Sequence, residues 1–545
     1  MAISLPVAAF LTAAVYVIWK VFLRNLIVPS VFNWKNLPGP ESPSWLGGHL
    51  EALFNRQGWK YWKWLADTYG TSFLVSGPMG EQILIIHDPK AMHSVLIKDV
   101  ENYPKRTLPS DDFMIFLGPG LLTTEGQQHR RQRKMLNPVF SAAHLRHMNG
   151  LFHDITDKLR AGIEKRVNKD SWQPVDVNGW MARTTLEMLG QAGLGYSFDN
   201  FVEDSSDAYG ESLKNFFPVM ARLSLTGYVV RELTRFLPDN AIRAILRRAP
   251  HADTRRMMEI SDTMIRRSKE IIDQKKEALS KGDEALAHQV GEGKDIMSIL
   301  LRANMNATAA EKLPDEELVA QMSILMLAGM DTTSNALSRT LQILASNPEA
   351  QAKLRAEVLE ARNGEPFIDY ENIVKLPYLD AVCRETLRLH SPVHLVPRRS
   401  AKNMALPLLH PVRGKDGREM SEITIPQNTL LLLNFQGSNY NTELWGDDAH
   451  EWKPERWLKP APTALEEARM PGVYSNIMSF SGGTRSCIGF KFSQLEMKVV
   501  LSVILSAFEF ELTEKEITWN FGAVTFPTMG LDSEKPEMVL NVRAL

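Results

Sequence analysis

A mainly α fold with a smaller β portion is what this sequence predicts, and three observations predict it. Apolar residues at helical spacing dominate from Ala142 to Leu389, while strand-like runs such as Ser72–Val75 and Gln82–Ile86 are short and crowd into the first hundred residues. Hydrophobic residues at 44% and charged residues at 23% are the composition of a globular body with a large core. That composition excludes a disordered, collagenous or polytopic membrane chain. At 545 residues the chain holds either several domains or one unusually large core. Lys plus Arg at 62 against Asp plus Glu at 64 leaves a net charge of −2, so no global field recruits nucleic acid, and none is expected as a partner.

The elements follow in chain order. Ala2 to Trp19 carries no charge in 18 positions, and as a helix it would run about 27 Å, close to a hydrocarbon layer. Lys20, Arg24 and Lys35 all lie after this stretch, the reverse of a cleaved signal peptide, so residues 1–24 read as a transmembrane anchor with the basic flank cytosolic. Residues 25–42 form a basic, Pro-rich hinge around Leu37-Pro38-Gly39-Pro40, and residues 43–545 form the body. Gln274 to Asp295, hydrophilic and glycine-bearing, reads as a surface loop. Asp315 to Asn347 reads as one helix, opened by Pro314 and an acidic turn and closed by Pro348.

Two cysteines, Cys383 and Cys487, argue against a disulfide scaffold in a chain of this size, and their surroundings differ. Cys383 lies on the apolar side of the helix Leu379–His390 and reads as a buried thiol. Cys487 ends the glycine-rich run Phe480-Ser481-Gly482-Gly483-Thr484-Arg485-Ser486-Cys487-Ile488-Gly489, ahead of a helical pattern through Phe492, Leu495 and Val499. A helix start and the neighbouring Arg485 favour a thiolate, and the glycines let backbone amides approach the sulfur. A buried structural thiol is the competing reading, since one cysteine cannot hold zinc or an iron–sulfur cluster; a haem iron needs only one.

The motif Phe-x-x-Gly-x-Arg-x-Cys-x-Gly, met at Phe480, Gly483, Arg485, Cys487 and Gly489, resembles the haem loop of the cytochrome P450 family, whose other motifs follow in order across nearly the whole chain. The resemblance implies the cytochrome P450 fold after the anchor, with residues 43–545 as a haem-thiolate catalytic domain. It implies haem b bound by Cys487 as the axial iron ligand, with sulfur supplying electron density for O–O cleavage. Ala328-Gly329-Met330-Asp331-Thr332-Thr333, in the middle of the long helix, looks like the family's oxygen-activation motif, which makes Asp331 and Thr332 the proton-delivering pair. Glu385 and Arg388 match Glu-x-x-Arg and, with Arg456 in Pro454-Glu455-Arg456-Trp457, form a structural ion network. His129 and Arg133, four apart, resemble the pair that binds a haem propionate, with histidine in place of the usual tryptophan; Arg398 and Arg485 match further propionate contacts.

Arg130, Arg131 and Lys134 are then expected to face outward as a docking patch for an acidic electron donor. Only 58 residues follow Cys487, too few for a flavin domain, so the implied partner is a membrane-bound NADPH-cytochrome P450 reductase, with cytochrome b5 as a second donor. The implied activity is a monooxygenase of the endoplasmic reticulum membrane, single-pass with a cytosolic catalytic domain, hydroxylating or further oxidising a lipophilic terpenoid or sterol-like substrate in the style of fungal secondary metabolism. A haem-thiolate isomerase or dehydratase, and a non-catalytic haem carrier or sensor, are the two rivals. Both would dispense with the Asp331–Thr332 pair.

Overall fold

The structure, a computed structural model, describes residues 36–105, 110–202, 208–223, 230, 233, 237–281 and 293–545. The expected anchor at 1–24 and most of the hinge at 25–42 lie outside the described residues. Among the described residues no helix is long and apolar enough to cross a membrane. The chain divides into two compact units: one holds the residues up to Thr107 with His394–Ala449 and Pro462–Ser486, the other Leu108–Val393, His450–Ala461 and Cys487–Leu545.

The first unit holds helix α1 (Trp59–Tyr69) and most of the strands. Its main sheet runs β1 (Ser72–Ser76), β2 (Gln82–Ile86), β7 (Leu430–Asn434), β4 (Leu395–Arg399). β2 and β7 pair in parallel, and the outer pairs are antiparallel. Ile83–Ile86 and Leu430–Leu433 are buried on both faces, which is why they read as continuous apolar runs with no alternation. Two hairpins complete the unit, β5 (Met404–Arg413) with β6 (Glu419–Ile425), and β8 (Gly472–Tyr474) with β9 (Ile477–Gly482). Ten of the thirteen described strands therefore begin at or after Leu395, against the expectation that strands crowd into the first hundred residues. The later strands are short and interrupted by prolines and charged residues, so alternation never runs long enough to stand out in the sequence.

The second unit is the helical body. Its principal helices are α2 (Gly126–Leu136), α3 (Ala142–Glu164), α4 (Val177–Met188), α5 (Ala208–Ala221), α6 (Ala252–Lys281), α7 (Asp315–Ser346), α8 (Pro348–Arg362), α9 (Pro377–Leu389) and α10 (Phe490–Ala507). Strands β3 (Gln173–Asp176), β10 (Phe508–Leu512) and β13 (Val539–Ala544) form one antiparallel sheet, and β11 (Ile517–Asn520) pairs with β12 (Phe526–Met529). α7 is the axis of the unit: it packs on α4, α6, α9 and α10, and twenty of its residues are buried. The loop expected over Gln274–Asp295 begins later, because α6 continues to Lys281. Lys275 is the reason: on the buried side of α6, between Ile272 and Ala278, its ammonium meets Asp295 at 2.9 Å and Ser298 at 3.1 Å.

Glu385 and Arg388 on α9 are both wholly buried. The guanidinium donates to the carboxylate through Nε at 2.9 Å and Nη2 at 2.8 Å, a forked geometry that recovers part of the cost of desolvating both charges. The same carboxylate accepts from Arg456 Nε at 3.3 Å, the Trp457 indole N–H at 2.9 Å and the Lys453 amide at 3.1 Å. Arg388 in turn reaches the Glu451 carbonyl at 3.3 Å. α9 and the segment 451–457 are thereby tied into one body within the second unit. Arg388→Met leaves a buried carboxylate without its main partner, so it should cost on the order of 3–5 kcal/mol, whereas Trp457→Phe removes one hydrogen bond to a charge and should cost about 1.5–3 kcal/mol. Denaturant unfolding of the two variants side by side checks both the sign and the ranking.

Candidate functional site

Local sequence explains the course of α7. Alcohol and amide side chains cluster at its middle and donate into the helix's own carbonyls: Thr332 to Ala328 at 2.8 Å, Asn335 to Asp331 at 2.7 Å, and Ser334 to Asp331 at 3.2 Å. Thr185 on α4 adds a bond to the Met330 carbonyl at 3.2 Å. Such competition loosens the regular ladder without breaking it. Gly329 permits close packing here, since a side chain at that position would begin 2.8 Å from Leu189. Asp331 is half-buried, and along the otherwise buried centre of the helix Ala328 is exposed while Leu325, Gly329 and Thr332 are half-buried. Spaced by three, four and seven, these four share one stripe, so α7 is open on the side that carries Thr332.

Asp331 adjoins that stripe. Burial pushes its carboxyl up to about 7, against the opposing pull of Lys214 on α5. Near neutral pH it therefore holds and releases a proton, which an ordinary aspartate does not do. Behind α7, Thr333 and Ser493 of α10 share a hydrogen bond at 3.2 Å. Glu496, one turn further along α10, is fully buried with no hydrogen-bond partner for either carboxylate oxygen. Burial holds its carboxyl well above the usual range, opposed by the nearby Thr333 hydroxyl, so Glu496 stays protonated. Sequence reading missed it because Gln494, Glu496 and Lys498 look like a solvated face.

Cys487 precedes α10 by three residues, one turn short of the helix start the sequence suggested. Its side chain is accessible, while Cys383 is buried. Burial among protein atoms nevertheless raises the Cys487 thiol, opposed by a hydrogen bond from the Gly489 amide and by Arg133. The expectation that the helix start and Arg485 favour the thiolate is thus corrected: desolvation is the larger influence, and the cation that acts on the sulfur is Arg133 of α2. Burial lowers Arg133 in turn, against the charge of Cys487. His129, one turn before Arg133, is buried.

The first unit holds the rest of the haem-loop motif. Phe480 on β9 packs edge-to-face on Tyr474 at 5.6 Å, and Gly483 opens a short turn through Arg485 that Ser486 closes with a bond to the Gly483 carbonyl at 3.1 Å. Gly483 has φ +67°, and a Cβ there would stand 2.1 Å from the Leu96 carbonyl oxygen, so the turn demands glycine. Arg398 on β4 is buried and donates to the Pro397 carbonyl at 2.7 Å.

The expected outward patch on α2 divides. Arg130 and Lys134 are exposed, Lys134 paired with Glu311. Arg131, expected to face outward, instead turns to Glu317 of α7 at 2.6 Å, where Gln132 at 2.6 Å and Gln128 at 3.0 Å also donate. A buried carboxylate at the acidic first turn of α7 needs donors more than the surface needs a third cation.

An accessible cysteine braced by an amide and an arginine, placed before a helix and accompanied by an acid–alcohol pair on a long core helix, defines the class of thiolate-ligated haem proteins. The sequence pattern of the family described as Cytochrome P450 matches residues 37–528. The ganoderic acid synthetase CYP5150L8 of Ganoderma lucidum is 58% identical over 98% of this chain and 98% of its own. Cytochrome P450 monooxygenase 91 of Postia placenta is 46% identical over 97% and 96%, and the monooxygenase eriI of Hericium erinaceus 34% identical over 96% and 95%. The chain belongs to the cytochrome P450 family and is a cytochrome P450 monooxygenase. Membership implies haem with a cysteine thiolate, and the residues present fit that group: the sulfur is reachable, its donors favour the charged form, and the loop before it turns where only glycine fits.

Because the folded state holds the Asp331 proton more tightly than an unfolded chain does, this group's stabilisation is fully present below about pH 4 and is lost as pH rises through about 7. The stability of the wild type relative to Asp331→Asn should therefore fall between pH 4 and 7 and level off above. A difference that stays flat across that range would contradict the shift.

Proposed function

We propose that this cytochrome P450 monooxygenase inserts one oxygen atom from O2 into a lipophilic terpenoid or sterol-like secondary metabolite, with electrons from NADPH through a membrane-bound reductase and with cytochrome b5 as a second donor. Haem, when bound, supplies oxygen activation. The observation that carries the reading is Asp331 beside Thr332 at the open stripe of α7: an acid that exchanges its proton near neutral pH adjoins a hydroxyl that bonds back to the preceding turn of the helix. Asp331 passes protons from the Lys214 side, and Thr332, now bonded to the Ala328 carbonyl, turns its hydroxyl to hold a proton donor in place.

In this reading Cys487 holds the iron, with Phe480, Gly483 and Gly489 shaping the loop around it. His129, Arg133, Arg398 and Arg485 meet the propionates, and Glu385, Arg388 and Arg456 brace the scaffold. Leu325 and Ala328 present an apolar wall, and Phe113 stacks on Phe216 at 6.1 Å, surfaces that suit a ring-bearing lipophile better than a charged metabolite. The ganoderic acid synthetase similarity points the same way. For docking, Arg130 and Lys134 remain the exposed cations of α2.

Location at the endoplasmic reticulum membrane, with a cytosolic body, is supported by the uncharged stretch Ala2–Trp19 and the basic residues after it. Trp45 at 59% exposure, Leu46 at 71% and Trp64 at 44% follow soon after in the first unit and supply apolar surface of the kind found at membrane interfaces.

The test is turnover of a terpenoid and sterol panel under 18O2 with NADPH and reductase. One labelled oxygen atom per product is expected, lost when NADPH or reductase is withheld. Product without label would favour an isomerase or dehydratase, and haem binding with no product from any substrate a carrier.

A further inference from the structure

Tyr103 in the first unit is a buried phenol with an unmet hydrogen-bonding group. Its side chain is 1% exposed, and its hydroxyl has no hydrogen-bond partner. An unsatisfied buried hydroxyl costs free energy, so its retention asks for an acceptor supplied from outside the chain. Burial and the nearby Asp99 keep the phenol protonated, which makes it a donor.

Its neighbours say what that acceptor is. Asn102 and Pro104 accept backbone bonds from Ala401 at 2.8 Å and Arg399 at 3.0 Å, so residues 102–104 run antiparallel to the end of β4. The two bonds set Tyr103 opposite Ser400, two residues along the chain from Arg398. The same stretch of chain touches the haem-loop turn, because the Leu96 carbonyl is the atom that forbids a side chain at Gly483. One segment thus runs beside both the end of β4, which carries Arg398, and the Gly483 turn, and within it sits a buried donor lacking an acceptor.

We propose that the Tyr103 hydroxyl donates a hydrogen bond to a haem propionate carboxylate beside Arg398, making Tyr103 a cofactor-binding residue. This rests on the reading that Arg398 meets a propionate. An anionic acceptor suits the pair: arginine supplies the charge, and the phenol supplies a second, neutral donor whose position is fixed by a rigid ring.

The test is haem release from the full-length holoenzyme to excess apomyoglobin, for wild type and Tyr103→Phe, each loaded with haem or with haem whose two propionates are esterified. With free propionates the phenylalanine variant should release haem about tenfold faster, equivalent to ~1.4 kcal/mol. With the esterified group, whose acceptor is uncharged, the two proteins should differ little. Equal acceleration with both forms, or with neither, would overturn the assignment. Should the phenylalanine variant fold poorly, 3-fluorotyrosine at position 103 keeps the ring and is a stronger donor, so it should slow release; unchanged release would overturn the assignment equally. A wild-type chain that takes up no porphyrin would overturn it together with the reading on which it rests.

Discussion

A sulfur atom partly desolvated yet required to carry negative charge is the constraint on which this site depends. Burial raises the Cys487 thiol, and only the Gly489 amide and the Arg133 guanidinium pull the other way. A metal cation bound at the sulfur would add to their pull, which would couple the charge of the sulfur to occupancy of the site. A sulfur that is already charged would need no metal and would be open to oxidation in its absence.

The same competition between desolvation and donors sorts the buried carboxyls of the second unit. Glu385 and Glu317 each receive several donors from arginine, glutamine or indole N–H groups. Glu496, with only the Thr333 hydroxyl to oppose burial, is held well above the usual carboxylate range, and Asp331, with only Lys214 to oppose burial, sits near neutrality. Donor number divides structural acids from proton-handling ones. The ion network around Glu385 is rigid because every charge in it is answered; the middle of α7 is chemically mobile because its charge is not.

Much of this was legible in the sequence where local signals act alone. Pro314, the acidic first turn and Pro348 bound α7 within a residue of the observed Asp315–Ser346, and β1 and β2 stand where the strand-like runs lie. The haem-loop motif located its glycine-demanding turn because a backbone contact as close as that of Gly483 with Leu96 leaves no choice of residue. What stayed hidden depends on partners distant in sequence. Arg131 looked outward because its acceptor, Glu317, lies 186 residues away. Nothing near Trp457 in sequence shows that its indole meets Glu385, 72 residues distant. Lys275 seemed to begin a loop until Asp295 accounted for its burial, and Tyr103 and Glu496 carried no signal, because an unmet hydrogen bond exists only in three dimensions.

Every role assigned at the site depends on the identity of the iron's protein ligand. The absorption spectrum of the ferrous CO complex of wild type and Cys487→His measures it. Wild type should show the red-shifted Soret band of thiolate ligation, and the histidine variant should retain haem but lose that shift. An unshifted wild-type band, or a shift that survives the substitution, would contradict the assignment of Cys487.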